Sequence, residues 1–297
     1  LAIENPSTDV ARYRAGDLDM TNYALPPEQF AKLQKELPGE VFTTRTLATY
    51  SYELNNKKAP FDNVNIRKAL NLSLDRNVIT DKVLGQGQTP TYVFTPTYIE
   101  EGHLIQQPAY SKEPMAQRNE EAIKLLEEAG YSKANPLKFT ILYNTNENHK
   151  KVAIAAASMW KANTKGLIDV KLENQEWKTY IDSRRAGRYD AARAGWNADY
   201  NQATTFGNYF LSNSSNNTAK YANPEYDKAI AESYVATDAE GRAKAYAKAE
   251  EILAKDFGIV PIFNYVNPRL VKPYVKGYSG KDPQDHIYLR NLYIIKH

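Results

Sequence analysis

The sequence predicts an α/β fold in which mixed sheets are flanked by helices. Three observations carry this. Helical and strand-like segments alternate from residue 137 to residue 196. The run Val41–Leu54 is rich in Thr and Tyr, the side chains that suit a pleated, half-buried surface. Residues 118–129 place Ala122, Leu125, Leu126 and Ala129 on one helical face, and Gly130 stops the helix.

The remaining elements follow in order. Residues 8–14 read as a capped helix ending at Gly16, and 17–22 as a strand. Residues 26–37 read as a helix with Pro near its first turn, stopped by Pro38-Gly39. Between 63 and 84, apolar residues at Val64, Ala69, Leu72, Leu74, Val78, Ile79 and Val83 predict two helices meeting near Asp75, which can cap the second. Residues 137–143 alternate as a strand, 148–163 form an Ala-rich helix, 168–173 a strand and 179–185 a short helix. Two further helices span 224–235 and 239–256, a short buried strand 259–266, and 270–295 is β-like but broken by Gly and Pro. Leu1-Ala2-Ile3 reads as the end of a strand, so the start of that unit is expected in a missing part or on another chain.

Composition excludes several classes. The 297 residues, 42% of them hydrophobic, suffice for a sizeable core in one or two domains. Net charge is +3, from 38 basic and 35 acidic residues, and no Lys/Arg block stands free of carboxylates, so nucleic acid is not an expected partner. Cysteine is absent, which removes disulfides, thiol catalysis and Cys-ligated metals and suits an oxidising compartment. No apolar run approaches the length of a membrane span. No signal peptide is visible at Leu1, and a processed secreted protein lacks one too. The 22 Tyr favour interfaces and cavities where one end of the ring is wet.

The stretch Tyr189-Asp190-Ala191-Ala192-Arg193-Ala194-Gly195-Trp196-Asn197-Ala198-Asp199-Tyr200 concentrates chemistry. Tyr189, Ala191 and Arg193 alternate like one face of a strand, Gly195 permits a sharp turn, and Asp199 can cap a helix opened by Tyr200. Arg193 and Asp199 together suit a ligand with one negative and one positive end; they equally suit a salt-bridged strand end with a capping Asp. His149-Lys150-Lys151 opens a helix whose N-terminus can receive a carboxylate, or forms a solvated basic turn. Trp177 falls where a strand yields to a helix, as a ligand-facing indole or a packing one.

Catalytic sets are missing. His103, His149, His286 and His297 show no metal-ligand spacing, and there is no G-x-S-x-G, P-loop or dinucleotide fingerprint. Gly85-Gln86-Gly87 lacks the third Gly and reads as a loop, and Glu120-Glu121 and Glu127-Glu128 fit a solvated helix face.

Across its whole length the chain resembles the periplasmic oligopeptide-binding proteins of ATP-driven peptide importers, in the dipeptide/oligopeptide/nickel class of solute-binding proteins. The likeness rests on Asp9-Val10-Ala11-Arg12-Tyr13-Arg14-Ala15-Gly16, Tyr143-Asn144-Thr145, Asn174-Gln175-Glu176-Trp177-Lys178-Thr179, Ala192-Arg193-Ala194-Gly195-Trp196, Ala198-Asp199-Tyr200-Asn201, Ser214-Ser215-Asn216-Asn217-Thr218-Ala219, Arg269-Leu270-Val271-Lys272-Pro273 and Asn291-Leu292-Tyr293-Ile294-Ile295-Lys296-His297. The chain is similar to the murein-tripeptide binders as well.

The resemblance implies a two-lobed periplasmic-binding-protein-like fold that closes on a peptide, lacking here the N-terminal part of the first lobe. Residues 1–49 and 266–297 would be the remnant of that lobe, 50–265 the second lobe, with hinge crossings near Tyr50 and Val266. It implies that Asp199 meets the peptide's α-amino group, and that Arg193 and His149 meet its carboxylate at different ligand lengths. Trp177 and Trp196 would wall side-chain pockets, Arg184 would lie near the ligand's far end, and Tyr265 would line the cleft. Three places depart from the family: Leu84 replaces a Lys that meets longer peptides, Asn197 replaces a Cys beside the amino-terminal site, and Thr46 and Ser51 replace tyrosines. The implied partners are short peptides and a membrane permease with ATPase subunits; the implied protein is periplasmic, cofactor-free, not an enzyme, and monomeric when complete. A murein-tripeptide or haem binder would use the same cleft, and a peptide or glycan hydrolase is the reading from another class.

Overall fold

The structure, a computed structural model, describes residues 5–22 and 25–296. Helices α1 (Pro6–Ala15) and α2 (Pro27–Glu36) come first. Asn5 rather than Thr8 caps α1, accepting from the Ser7 N–H at 2.8 Å, and Gly16 closes it in the left-handed region at φ 87°. The strand expected over 17–22 is reduced to one bridge, Met20 to Val271, and Leu1-Ala2-Ile3 lies outside the described residues.

Strand β1 (Val41–Leu54) has the predicted bounds. From Thr46 onward nearly every residue is buried, because β1 has a strand on each side and is covered on both faces. Asn63 caps α3 (Val64–Leu72), and Asp75 accepts from Asn77 and Val78 to open a wide π-type turn, Val78–Leu84, so the predicted pair of helices meets where expected. A short strand, β2 (Thr89–Pro90), and α4 (Met115–Glu128) follow. Ala122 and Leu126 of α4 are buried; Ala129, expected on the same face, is exposed just past the helix end.

The centre of the chain alternates as predicted: β3 (Leu137–Asn144), α5 (Glu147–Asn163), β4 (Ile168–Gln175), α6 (Trp177–Arg185) and β5 (Ala191–Asn197). Gly195 makes no turn; it lies inside β5, opposite Tyr50. Asp199 caps no helix, since the next one, α7 (Thr204–Gly207), begins further on behind Ala203. Helices α8 (Pro224–Val235) and α9 (Ala239–Lys255) precede β6 (Ile259–Leu270), longer than the strand expected there because it follows β1 almost to its start. Beyond it, apart from the Val271 bridge to Met20, only β7 (Val275–Lys276) and β8 (Tyr293–Ile294) pair among the described residues.

One six-stranded mixed sheet, ordered β2-β6-β1-β5-β3-β4, organises the chain. β1 runs antiparallel to β5 and β6, while β3 runs parallel to β4 and β5, joined to β4 by the α5 crossover. The largest core packs Tyr50, Tyr52, Leu54, Ile141, Val260 and Ile262 with α3, α4 and α5. Trp160 of α5 is fully buried there, its indole N–H donating to Leu70 O at 2.9 Å; truncating such a residue costs about 3–5 kcal/mol. A second core gathers Phe94, Phe206, Phe210, Tyr226, Tyr246 and Leu253, and a third joins α1 and α2 to Leu270. No described helix is long and apolar enough to cross a membrane.

Candidate functional site

A cavity of about 660 Å³ opens where β1, β5 and β6 pass the N-termini of α5 and α6. Each of these elements contributes through a local feature of its sequence.

Asn146 caps α5, its side-chain oxygen accepting from the N–H groups of Asn148 (2.9 Å) and His149 (3.1 Å). This fixes His149 in the first helical turn, its ring 5.6 Å from that of Tyr50 on β1. Burial, and then the nearby Arg193 guanidinium, hold its imidazole well below the usual histidine pKa, so it is neutral at pH 7.

Arg193 sits in the middle of β5, its guanidinium 5.1 Å from the Tyr50 ring centroid. Nη2 donates to Tyr265 Oη of β6 at 2.5 Å, and Nη1 reaches Asn144 Oδ1 only at 3.5 Å. Nε is buried and has no hydrogen-bond partner. Burial opposes the charge, but the Tyr265, Tyr50 and Tyr180 hydroxyls outweigh it, and Arg193 keeps its proton. It therefore presents a partly buried cation at the cavity wall whose hydrogen-bond contacts are neutral oxygens.

Trp177 is the first residue of α6, behind the Glu176 cap, and is 55% exposed; one face stacks on Tyr180 at 6.0 Å, so the indole stands free at the wall of the cavity. Asn197 ends β5 on the rim opposite Ala48. The structure thus brings together five of the predicted residues: Arg193, His149, Trp177, Asn197 and Tyr265.

Three others fall elsewhere. Asp199 lies just past the lining, exposed, its backbone N–H donating to Thr205 Oγ1 and its carboxylate accepting from the same hydroxyl, each at 3.2 Å. Trp196 turns to the second core, with its ring 4.9 Å from that of Tyr209 and its N–H on Thr205 O at 2.9 Å. Arg184 is buried against Glu53 of β1.

Sequence reading missed the amides. Asn144, Asn146, Asn148, Asn267, Gln86, Gln88 and Gln284 all line the cavity. Alternating Asn at 144, 146 and 148, across a strand end and a helix cap, was the visible signal. Amides both donate and accept without charge, which suits peptide groups and bridging water. Among the described residues that line the cavity there is no Asp or Glu. Of the residues that depart from the family, Leu84, Thr46 and Asn197 line it, and Ser51 is buried in β1.

An amide-lined cavity with one partly buried cation that no carboxylate meets, on a mixed sheet flanked by helices, is the arrangement of a binding protein for small polar solutes. The chain belongs to the bacterial extracellular solute-binding proteins of family 5, whose middle-region sequence model matches residues 1–218. Over its full length it is 96% identical to the periplasmic oligopeptide-binding protein OppA of Haemophilus influenzae and 54% identical to that of Salmonella typhimurium. The chain spans 55% and 54% of those relatives, about half their length. The crystal structure of H. influenzae OppA in complex with RPPGFSPFR superposes with a TM-score of 0.94 at 95% identity, covering all of this chain and 58% of that one. The murein tripeptide binding protein MppA of Escherichia coli superposes with a TM-score of 0.92 at 43% identity, again covering all of this chain and 58% of the other.

Proposed function

We propose that the protein captures short peptides outside the cytoplasmic membrane, in the periplasm, and hands them to a membrane permease driven by ATPase subunits. The observation that carries this reading is Arg193, its Nε buried and its guanidinium without a carboxylate partner, in an amide-lined cavity of a chain that superposes closely on a peptide-bound relative. Arg193 and His149 receive the peptide's carboxylate end, Asp199 its α-ammonium, and the amides its backbone. Burying the ligand's charges is tolerable because each meets an opposite one. Trp177 offers a flat apolar face to side chains. The protein acts by binding and release, with no catalysis and no cofactor.

In this reading 50–265 form one lobe, and 1–49 with 266–297 belong to another. β1 and β6 carry the chain between them. Their ladder slips between Arg45 and Thr49, the kind of irregularity that lets paired strands bend.

Calorimetry with a free peptide and its N-acetylated form tests the reading. Acetylation, or Asp199→Ala, is expected to weaken binding by about 1.5–3 kcal/mol, the range for a hydrogen bond to a charged group. Equal affinity for both forms would remove Asp199 from the site, and cleavage of the peptide during incubation would replace the binding reading with a hydrolytic one.

A further inference from the structure

His149 and Arg193 line the same cavity, and nothing negatively charged stands beside them in its lining. The groups facing His149 from other elements are Tyr50 of β1, at 5.6 Å ring to ring, and the Arg193 guanidinium of β5, with Tyr265 of β6 behind it. On its own helix Glu147 and Lys150 point to solvent, and Lys151 is tied to Glu28 of α2 at 2.8 Å. The imidazole also sits in the first turn of α5, where the helix dipole disfavours a cation. In the empty site burial, the guanidinium and the dipole all act against a proton on His149.

An arriving carboxylate reverses the second of these. It neutralises Arg193, whose Nε has no other partner, and it brings a negative charge toward the imidazole. We propose that His149 takes up a proton from solvent when a ligand carboxylate settles between it and Arg193, so that ligand capture at this place is coupled to pH. The inference rests on the peptide-binding reading and adds to it a regulation: ligands with a free carboxylate there are held more tightly in mildly acid surroundings than in alkaline ones.

The sign follows from linkage. The proton is bound more strongly in the complex than in the empty site. Affinity is therefore highest below the His149 pKa of the empty site, falls by up to about tenfold per pH unit between the empty-site and complex values, and is flat above both.

The test is calorimetry on the protein with alanine peptides three to five residues long, each as free acid and as C-terminal amide, in buffers of low and high ionisation enthalpy. For at least one length the free acid is expected to take up more protons on binding than its amide, by up to about one proton, between about pH 5.5 and 7, below the range in which the peptide's own amine titrates. His149→Gln should bind the free acids more weakly and lose this acid–amide difference. Equal proton uptake by acid and amide at every length, or a difference that survives in His149→Gln, overturns the coupling and leaves the binding reading standing. Failure of all peptides to bind overturns both.

Discussion

Arg184 grips Glu53 at two points, Nε to Oε2 at 3.1 Å and Nη2 to Oε1 at 2.8 Å, where both side chains are withdrawn from solvent. The same carboxylate accepts from Tyr209 Oη at 2.7 Å and from Thr218 Oγ1. One buried charge thus ties the end of β1 to α6 and to the segment carrying Tyr209 and Thr218. Removing one partner strands the other charge. Arg184→Met is expected to lower stability by about 3–5 kcal/mol in denaturant titration. The double variant Arg184→Met/Glu53→Leu should recover part of that loss, because no unpaired charge is left. A double variant as unstable as the sum of its singles would show that the two residues are not coupled.

Gly195 matters for what it leaves empty. A methyl group there would lie 2.9 Å from Arg193 Nη2 and 3.0 Å from Tyr265 Oη. Both are ends of long side chains that can move aside, so Gly195→Ala should fold with a stability change under about 1 kcal/mol. The displaced guanidinium should lower affinity for free-acid peptides at least about tenfold, 1.4 kcal/mol, while C-terminal amides lose less. Calorimetry on the two ligand forms decides this, and unchanged affinity for the acids would take Arg193 out of the carboxylate site.

Glu250 of α9 is fully buried, and its carboxylate accepts from Phe94 N (3.0 Å), Thr95 N (2.8 Å) and Thr95 Oγ1 (2.6 Å). Burial raises its pKa above the ordinary carboxylate value, against the pull of those three bonds. Since the folded pKa lies above the unfolded one, its contribution is fully present below the ordinary value and is lost as pH rises through the folded one. His149, depressed in the empty site, behaves oppositely: its contribution is present above the ordinary histidine value and is lost as pH falls toward the folded one. Unfolding midpoints between about pH 4 and 8 should therefore lose their acid-side advantage in Glu250→Gln and their neutral-side advantage in His149→Gln. Glu250→Gln should also cost about 1–3 kcal/mol, because one amide oxygen replaces two carboxylate oxygens. Parallel profiles for wild type and variant would remove that group from the pH dependence.

The elements whose pattern is local were legible in the chain. β1 kept its predicted bounds because fourteen successive residues suit a strand whichever neighbours it meets. α8 and α9 fall within a residue of the predicted 224–235 and 239–256, and in the structure Asn223 and Asp238 cap them through bonds that close within one turn. Residues 17–22 had strand-like composition but found a partner only at Met20, and a strand needs a neighbour that its own sequence does not specify.

For the site, residue types and spacing singled out Arg193, His149 and Trp177 one by one, each beside a structural alternative, and only the family resemblance joined them and added Tyr265. The fold alone decided which side chains share a surface. Alternation along β5 sends Arg193 into the cavity, whereas Trp196 turns to the second core because the indole N–H finds the Thr205 carbonyl there. Arg184 and Glu53 are 131 positions apart, and the register of β1 with β5 and the packing of α6 bring them together. Propensity and periodicity act over a few residues and can be read from the chain; charge pairing and cavity lining depend on which distant segments desolvate each other, and only packing determines that.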